Sequence, residues 1–93
     1  ECKHKLKYIN AYRMYYKKEF KEVITSTTDI IDNYSMEFDW LLGMSYYLRA
    51  NSQLALDNIQ DAKQDLKKVT KIDFKFPEVS QAVELLGLLS KNK

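Results

Sequence analysis

Apolar residues recur every three or four positions along most of the chain, which is the spacing of a helix face. Five segments carry this pattern, at about residues 3–18, 20–33, 36–56, 59–73 and 77–91. Glycine occurs twice and proline once, so few positions favour the sharp turns of a β-sandwich or barrel. The pattern predicts an all-α fold of five helices, in a single domain over residues 1–93.

The second segment is the least clear of these. The four residues from Thr25 to Thr28 are poor helix formers, because β-branching restricts χ1 and hydroxyl groups compete for backbone hydrogen bonds. A strand is therefore the competing local interpretation. Helix is preferred, since Val23, Thr27 and Ile30 recur at helical spacing.

The second and fourth segments begin with a similar order of residue types. Phe20 and Val23 in the second segment correspond to Ile59 and Ala62 in the fourth. In both places an apolar residue is followed by two polar residues and then by a small or β-branched one. This recurrence indicates structural repeats, each of which buries its apolar face against its neighbours.

The third segment adds a further signature. Leu42 and Gly43 are followed by Tyr46 three residues after the glycine, with Trp40 shortly upstream. Together these motifs resemble the helix pairs of the tetratricopeptide repeat (TPR) family, which place a small residue where the two helices cross closely. The resemblance implies antiparallel helix–turn–helix pairs stacked as a short TPR-like right-handed superhelix.

The resemblance extends over nearly the whole chain, as about two and a half degenerate repeats. Ala11 takes the glycine's place in the first pair, and Gly87 begins the signature again in the last segment. The interval from Ala11 to Val23 is the family's usual twelve positions, whereas Gly43 to Ala62 is nineteen. We expect the extra residues to lengthen the third helix by about two turns, or ~10 Å.

In this family, the first helices of successive pairs line a concave groove that takes a partner's segment. Carried onto this sequence, the resemblance places an aromatic-rich groove on the first and third segments. Aromatic side chains concentrate at binding hot spots because they bury a large area at low entropic cost. Packing between helices is the competing interpretation for each tyrosine. The predicted groove residues are Tyr8, Tyr12, Tyr15, Tyr16, Trp40, Met44 and Tyr47.

Two further expectations concern partners. Some family members grip the C-terminal carboxylate of chaperone tails with a Lys and an Asn spaced four apart. Tyr8 and Tyr12 occupy the matching places here, so such a tail is not the expected ligand. The lengthened third helix would also carry Leu48, Leu54 and Leu56 beyond its neighbours, as a second apolar interface for self-association or docking.

The charge pattern is that of an ordinary solvated surface. The net charge is +2, with acidic and basic residues interspersed, which does not indicate a nucleic-acid interface. Lysines of the fourth segment lie among acidic residues, and a nucleic-acid interface there is the weaker alternative. No apolar run reaches the roughly 18–20 residues of a membrane span, and no signal peptide is visible. We expect a soluble domain, in a compartment that the sequence leaves open.

Residues for catalysis or metal binding are scarce. Cys2 is the single cysteine and His4 the single histidine, whereas a zinc site needs about four ligands. Both glycines stand alone inside predicted helices, which argues against a phosphate-binding loop. Acidic pairs such as Asp61 and Asp65 are expected on exposed faces beside lysines. The sequence therefore predicts no enzyme, no cofactor and no metal site.

The function favoured by these observations is that of a protein–protein interaction module, an adaptor or scaffold that binds a partner protein or peptide through the aromatic groove. The alternative is a structural module that forms homo-oligomers or docks onto the rest of its own chain. Because so few repeats are near the lower limit for stable stacking, a longer chain around this segment is also an expectation.

Overall fold

The computed structural model describes residues 2–33, 39–71 and 77–91, with side chains described over 5–33, 41–71 and 81–89. The secondary structure of these ranges is helical, so the predicted all-α fold is confirmed. The predicted start of the third helix at 36 and end of the fourth at 73 lie outside the described residues. The five helices in these ranges are α1 (Cys2–Tyr16), α2 (Phe20–Asn33), α3 (Asp39–Ala55), α4 (Ile59–Lys71) and α5 (Pro77–Lys91).

The hydroxyl-rich run of α2 is helical because its hydroxyl groups bond back along the helix. Thr27 Oγ1 donates to the carbonyl of Val23 at 2.7 Å, and Thr25 Oγ1 donates to the carbonyl of Lys21 at 3.1 Å. This bonding satisfies the hydroxyls without a non-helical backbone. Thr27 is also fully buried. Packing of α2 against its neighbours therefore outweighs the weak helix propensity of this run.

Each helix packs on the next one in the chain, and α1 also contacts α3 while α3 contacts α5. The first pair runs antiparallel. Tyr15 and Phe20 meet edge to face beside the turn, with ring centroids 5.6 Å apart, whereas Lys7 pairs with Asp29 further from it. The helices therefore stack as helix–turn–helix pairs, and the handedness of the stack stays a prediction.

The α1–α2 and α3–α4 turns have the same backbone geometry. Lys18 and Asp57 both adopt a left-handed conformation, with φ of 65° and 66°. The N–H that follows each of them donates to a carbonyl five positions back, at 2.9 Å from Glu19 and at 2.7 Å from Asn58. This combination is the Schellman motif that ends many helices. It explains why α1 stops at Tyr16, before the predicted residue 18.

Lys18 and Asp57 occupy the same place in the two turns, so equivalent residues of the two pairs are 39 positions apart in the sequence. In this register Ala11 corresponds to Ala50 and Val23 to Ala62, and all four residues are fully buried. The turns thus favour Ala50, and not the predicted Gly43, as the counterpart of Ala11. No extra turns are needed in the second pair, because a methyl side chain also permits close helix approach.

Two apolar clusters hold the stack together, and α3 takes part in both. The first cluster joins α1, α2 and α3 through Ala11, Val23 and Leu48. The second cluster joins α3, α4 and α5. Because α3 is covered on two sides, it is the central helix of the described structure. The second cluster consists of Ala50, Ala62, Leu66, Val69 and Ala82.

The remaining residues of the predicted repeat signature differ in their surroundings. Tyr46 packs against the second cluster, and Phe20, Leu42 and Ile59 are half-buried. Gly87 is exposed, and a Cβ atom built on it would meet no atom within 4 Å. The predicted role of Gly87 in close helix packing is therefore not seen among the described residues.

Candidate binding pocket between α1 and α3

A cavity of about 260 Å³ opens between α1 and α3. Most of its lining is aromatic. Of the seven predicted groove residues, five lie around this cavity, and the other two are Tyr16 and Trp40. The structure thus brings together side chains that are far apart in the sequence. The lining residues are Tyr8, Tyr12, Tyr15, Met44, Tyr47, Leu48 and Asn51.

Helical spacing explains why α1 presents three rings to one cavity. Tyr8, Tyr12 and Tyr15 are separated by four and then three positions, so they form one stripe along the helix. In the register set by the turns, Tyr8 corresponds to Tyr47, and Tyr12 to Asn51. The pocket therefore lies between equivalent faces of the first helices of the two pairs.

Ring contacts build the α1 side of the pocket. Tyr8 and Tyr12 are stacked, with centroids 6.0 Å apart and an interplanar angle of 16°. Tyr16 meets Tyr12 edge to face at 5.0 Å, and their hydroxyl oxygens are 3.1 Å apart. Such aromatic pairs contribute about 0.5–1.5 kcal/mol beyond the area they bury, so they favour one arrangement of the rings.

The α3 side is held by hydrogen bonds. The Tyr47 hydroxyl donates to Oε1 of Gln81 on α5 at 2.9 Å, and Nδ2 of Asn51 donates to the Tyr47 carbonyl at 3.2 Å. Through Gln81, the fifth helix also positions the site. Asn51 was missed in the sequence, although its spacing of four from Tyr47 places it on the same helix face.

None of the described residues that line the pocket is charged. Burial raises the pKa of the Tyr15 phenol, and the nearby Tyr47 and Tyr16 hydroxyls raise it further, so this group stays neutral at physiological pH. The helix α1, which forms one side of the pocket, is by contrast positively charged. Between Cys2 and Tyr16, α1 carries four lysine or arginine residues and no acidic residue. An uncharged pocket is thus set into a basic helix.

The two other predicted groove residues are placed differently. Tyr16 lies outside the lining and is 69% exposed, with its ring against that of Tyr12. Trp40 belongs to α3, but its side chain lies outside the described residues. The described site is therefore smaller than the predicted groove at Tyr16, and the place of Trp40 in the groove stays a prediction.

The predicted second interface on α3 is not an exposed surface. Leu48 is only 4% exposed and packs with Ala11 and Val23. Leu54 packs against the second cluster, and Leu56 is half-buried in the turn. This correction follows from the central position of α3, since both clusters cover it.

An ion pair that sequence reasoning missed joins α3 to α4. Arg49 Nε and Nη2 donate to the two carboxylate oxygens of Asp65 at 2.7 and 2.8 Å, and Nη1 donates to Thr28 on α2 at 2.9 Å. The hydrogen bonds to Asp65 raise the pKa of Arg49. Asp65 is 4% exposed, so the expected exposed position is wrong for it. Its spacing of three from buried Ala62 is the signal that could have found it.

The chain matches no protein-family model, no curated protein and no solved structure. The resemblance to TPR proteins therefore stays a prediction, and the fold and pocket rest on their own geometry. Over the described ranges, no group of three or more His, Cys, Asp or Glu residues is placed to hold a metal ion. None of the helices in those ranges is long and apolar enough to cross a membrane.

Proposed function

We propose that this protein is an interaction module, an adaptor or scaffold, that binds a segment of a partner protein in the pocket between α1 and α3. The observation that carries the proposal is the convergence of four tyrosines from two helices on one cavity. They are Tyr8, Tyr12, Tyr15 and Tyr47. Tyrosine is enriched at binding hot spots, since its ring buries much area and its hydroxyl satisfies polar partners.

The size of the cavity limits what it accepts. Its volume of about 260 Å³ is below the ~300–1,000 Å³ of most small-molecule sites. A single aromatic or branched aliphatic side chain suits this volume better than a whole cofactor or metabolite. The partner is therefore expected to insert one anchor residue, with its flanking residues lying along α1 and α3.

Charge narrows the choice of partner. An apolar anchor suits the uncharged lining, because a buried charge without a partner is costly. Acidic residues beside the anchor suit α1, which has four basic residues and no acidic one, and of these basic residues Lys7 is already paired with Asp29 of α2. Complementary charge of this kind raises the association rate and selects among partners more than it raises affinity.

The test is to select peptides from a random library displayed on phage and to measure their affinity by fluorescence polarisation. Tyr12→Ala removes a ring that lines the cavity and is 44% exposed, so it removes contact area with little effect on folding. We expect a loss of affinity of at least about tenfold, or ~1.4 kcal/mol.

Ile9→Ala is the matched control, because Ile9 is exposed to a similar extent on the same helix and lies outside the lining. We expect it to change affinity by less than about threefold. Backbone amide signals of Tyr47 and Asn51, on the opposite side of the cavity, should shift when peptide binds. Equal affinity of the selected peptides for Tyr12→Ala and the unsubstituted chain would contradict the proposal, as would a selection without enrichment.

A further inference from the structure

The outer side of α1 carries an exposed apolar stripe that is separate from the pocket. Leu6 is 61% exposed and Ile9 is 49% exposed, and Tyr16 continues the stripe beyond exposed Arg13. The spacing of these residues by three, four and three positions places them on one face of the helix. That face is opposite Ala11, which is fully buried.

The corresponding face of α3 is covered over most of its length. In the register set by the turns, the counterparts of Leu6 and Ile9 are Ser45 and Leu48, which are 0% and 4% exposed. They are covered because the first helix pair packs against this side of α3. Thus α1 exposes the kind of face that this fold uses to stack one pair on another.

A second exposed face lies on α5. Val83 and Leu88 are each 54% exposed, and exposed Glu84 and Gly87 lie between them on the helix surface. This side faces away from the fully buried Ala82. Because a Cβ atom at Gly87 would meet nothing within 4 Å, the glycine leaves a shallow gap between the two apolar side chains.

The charges on these faces favour a contact between unlike ends. The α1 stripe contains Arg13 in a helix without acidic residues, whereas the α5 face contains Glu84. Two α1 faces would bring like charges together, and so would two α5 faces, which costs binding energy. Among the described residues of α1 and α5, none is in contact with the other helix within one molecule, so a contact between these faces requires two copies.

We propose that copies of this chain associate head to tail, with the outer face of α1 in one copy packed on the outer face of α5 in the next. Ile9 then fills the gap over Gly87, and Arg13 lies near Glu84. Because two different surfaces meet, the contact repeats from copy to copy and builds an open chain, or a ring if the rotation closes. Of the residues in the contact, none lines the tyrosine pocket.

Sedimentation velocity of the 93-residue chain, from about 10 µM to about 1 mM, is the first measurement. A contact of single helix faces is small and therefore weak, so the average mass should rise with concentration and pass that of a dimer. Ile9→Glu and Gly87→Arg should each abolish this rise. Both changes are at exposed positions, and the Tm of each variant should stay close to that of the unsubstituted chain or, for Gly87→Arg, increase.

Thr25→Glu is the matched control, since it places the same charge on an exposed position of α2 outside both faces. This variant should associate as the unsubstituted chain does. Mixing Ile9→Glu with Gly87→Arg should restore association, because the first keeps an intact α5 face and the second an intact α1 face. The mixture should stop at a one-to-one heterodimer.

Three results would overturn the proposal. One is an unsubstituted chain that stays monomeric up to about 1 mM, where even weak contacts populate. Another is Gly87→Arg associating as strongly as the unsubstituted chain. The third is a mixture of Ile9→Glu and Gly87→Arg that stays monomeric, because the intact α5 face of the first variant then does not bind the intact α1 face of the second.

Discussion

The two helix pairs of this protein have the same turns and the same register, but different interactions hold them together. In the α1–α2 pair, the side chains of the Lys7–Asp29 ion pair are 41% and 45% exposed. In the α3–α4 pair, those of Arg49 and Asp65 are 18% and 5% exposed. The difference follows from position, because the α3–α4 pair has a helix packed on each side of it, whereas α1 has an exposed outer face.

The same positions therefore serve different purposes in the two pairs. The counterparts of Arg49 and Asp65 in the first pair are Asn10 and Ser26, which cannot form an ion pair. The first pair contributes three of the four tyrosine rings around the cavity, whereas the second pair contributes Ala50, Ala62, Leu66 and Val69 to an aliphatic cluster. The same arrangement of helices and turns thus surrounds an aromatic cavity near one end of the stack and an aliphatic cluster at its centre.

The largest expected effect tests the buried ion pair. Asp65→Ala leaves the Arg49 guanidinium buried without its carboxylate, and we expect the free energy of unfolding to fall by about 3–5 kcal/mol. Asp29→Ala removes the carboxylate from the exposed pair with Lys7 and should cost about 0–1 kcal/mol. Urea denaturation followed by circular dichroism measures both. Equal losses in the two variants would mean that burial does not distinguish the pairs.

A smaller change in the free energy of unfolding, this time an increase, tests the turn geometry that the two pairs share. Lys18 has a φ of 65°, a conformation that strains most side chains but not glycine. Lys18→Gly should therefore raise the free energy of unfolding by about 0.5–1 kcal/mol. Asp57→Gly should raise it less, because aspartate tolerates this conformation better than lysine.

Lys17→Gly is the control for this comparison, because Lys17 lies in the same turn without a positive φ. It should leave stability unchanged or lower it, since glycine there adds only freedom to the unfolded chain. Thermal unfolding of the three glycine variants ranks them by stability. If Lys17→Gly stabilises as much as Lys18→Gly, strain at Lys18 is not the cause.

The smallest effect concerns the phenol of Tyr15 at high pH. Its pKa is raised in the folded state by burial and by its tyrosine neighbours, so the folded state holds this proton more tightly than the unfolded state does. The contribution of this group to stability is complete below its usual pKa of about 10, and is lost as the pH rises through the folded-state value. Tyr15→Phe should therefore lose less stability above pH ~10 than the unsubstituted chain.

Tyr12→Phe removes a partly exposed hydroxyl from the same helix, and Tyr12 is not among the groups that raise the pKa of Tyr15, so this variant should keep the alkaline decline. Chemical denaturation at several pH values between about 8 and 11 measures the slopes. An unchanged slope in Tyr15→Phe would show that other groups cause the decline.

The sequence by itself determined the helices and the stripe of tyrosines on α1. Both are local properties, because a spacing of three and four positions sets a helix face wherever that helix packs. Part of the pocket could be predicted from the sequence for the same reason. Tyr8, Tyr12 and Tyr15 share one face of α1, and Tyr47 occupies the position in α3 that is equivalent to Tyr8.

Only the tertiary structure decided which faces are covered. Gly43 matched a motif by residue type, but the two turns of like geometry favour Ala50 as the counterpart of Ala11. Asp65 is a charged residue of the kind usually found at the surface. Its burial is possible because Arg49 of another helix donates hydrogen bonds to it. Leu48 and Ile9 are both apolar residues at equivalent positions, and only Leu48 has a helix pair packed over it. Burial depends on neighbours that are distant in the chain. The spacing of residues within one helix carries no information about which neighbours these are.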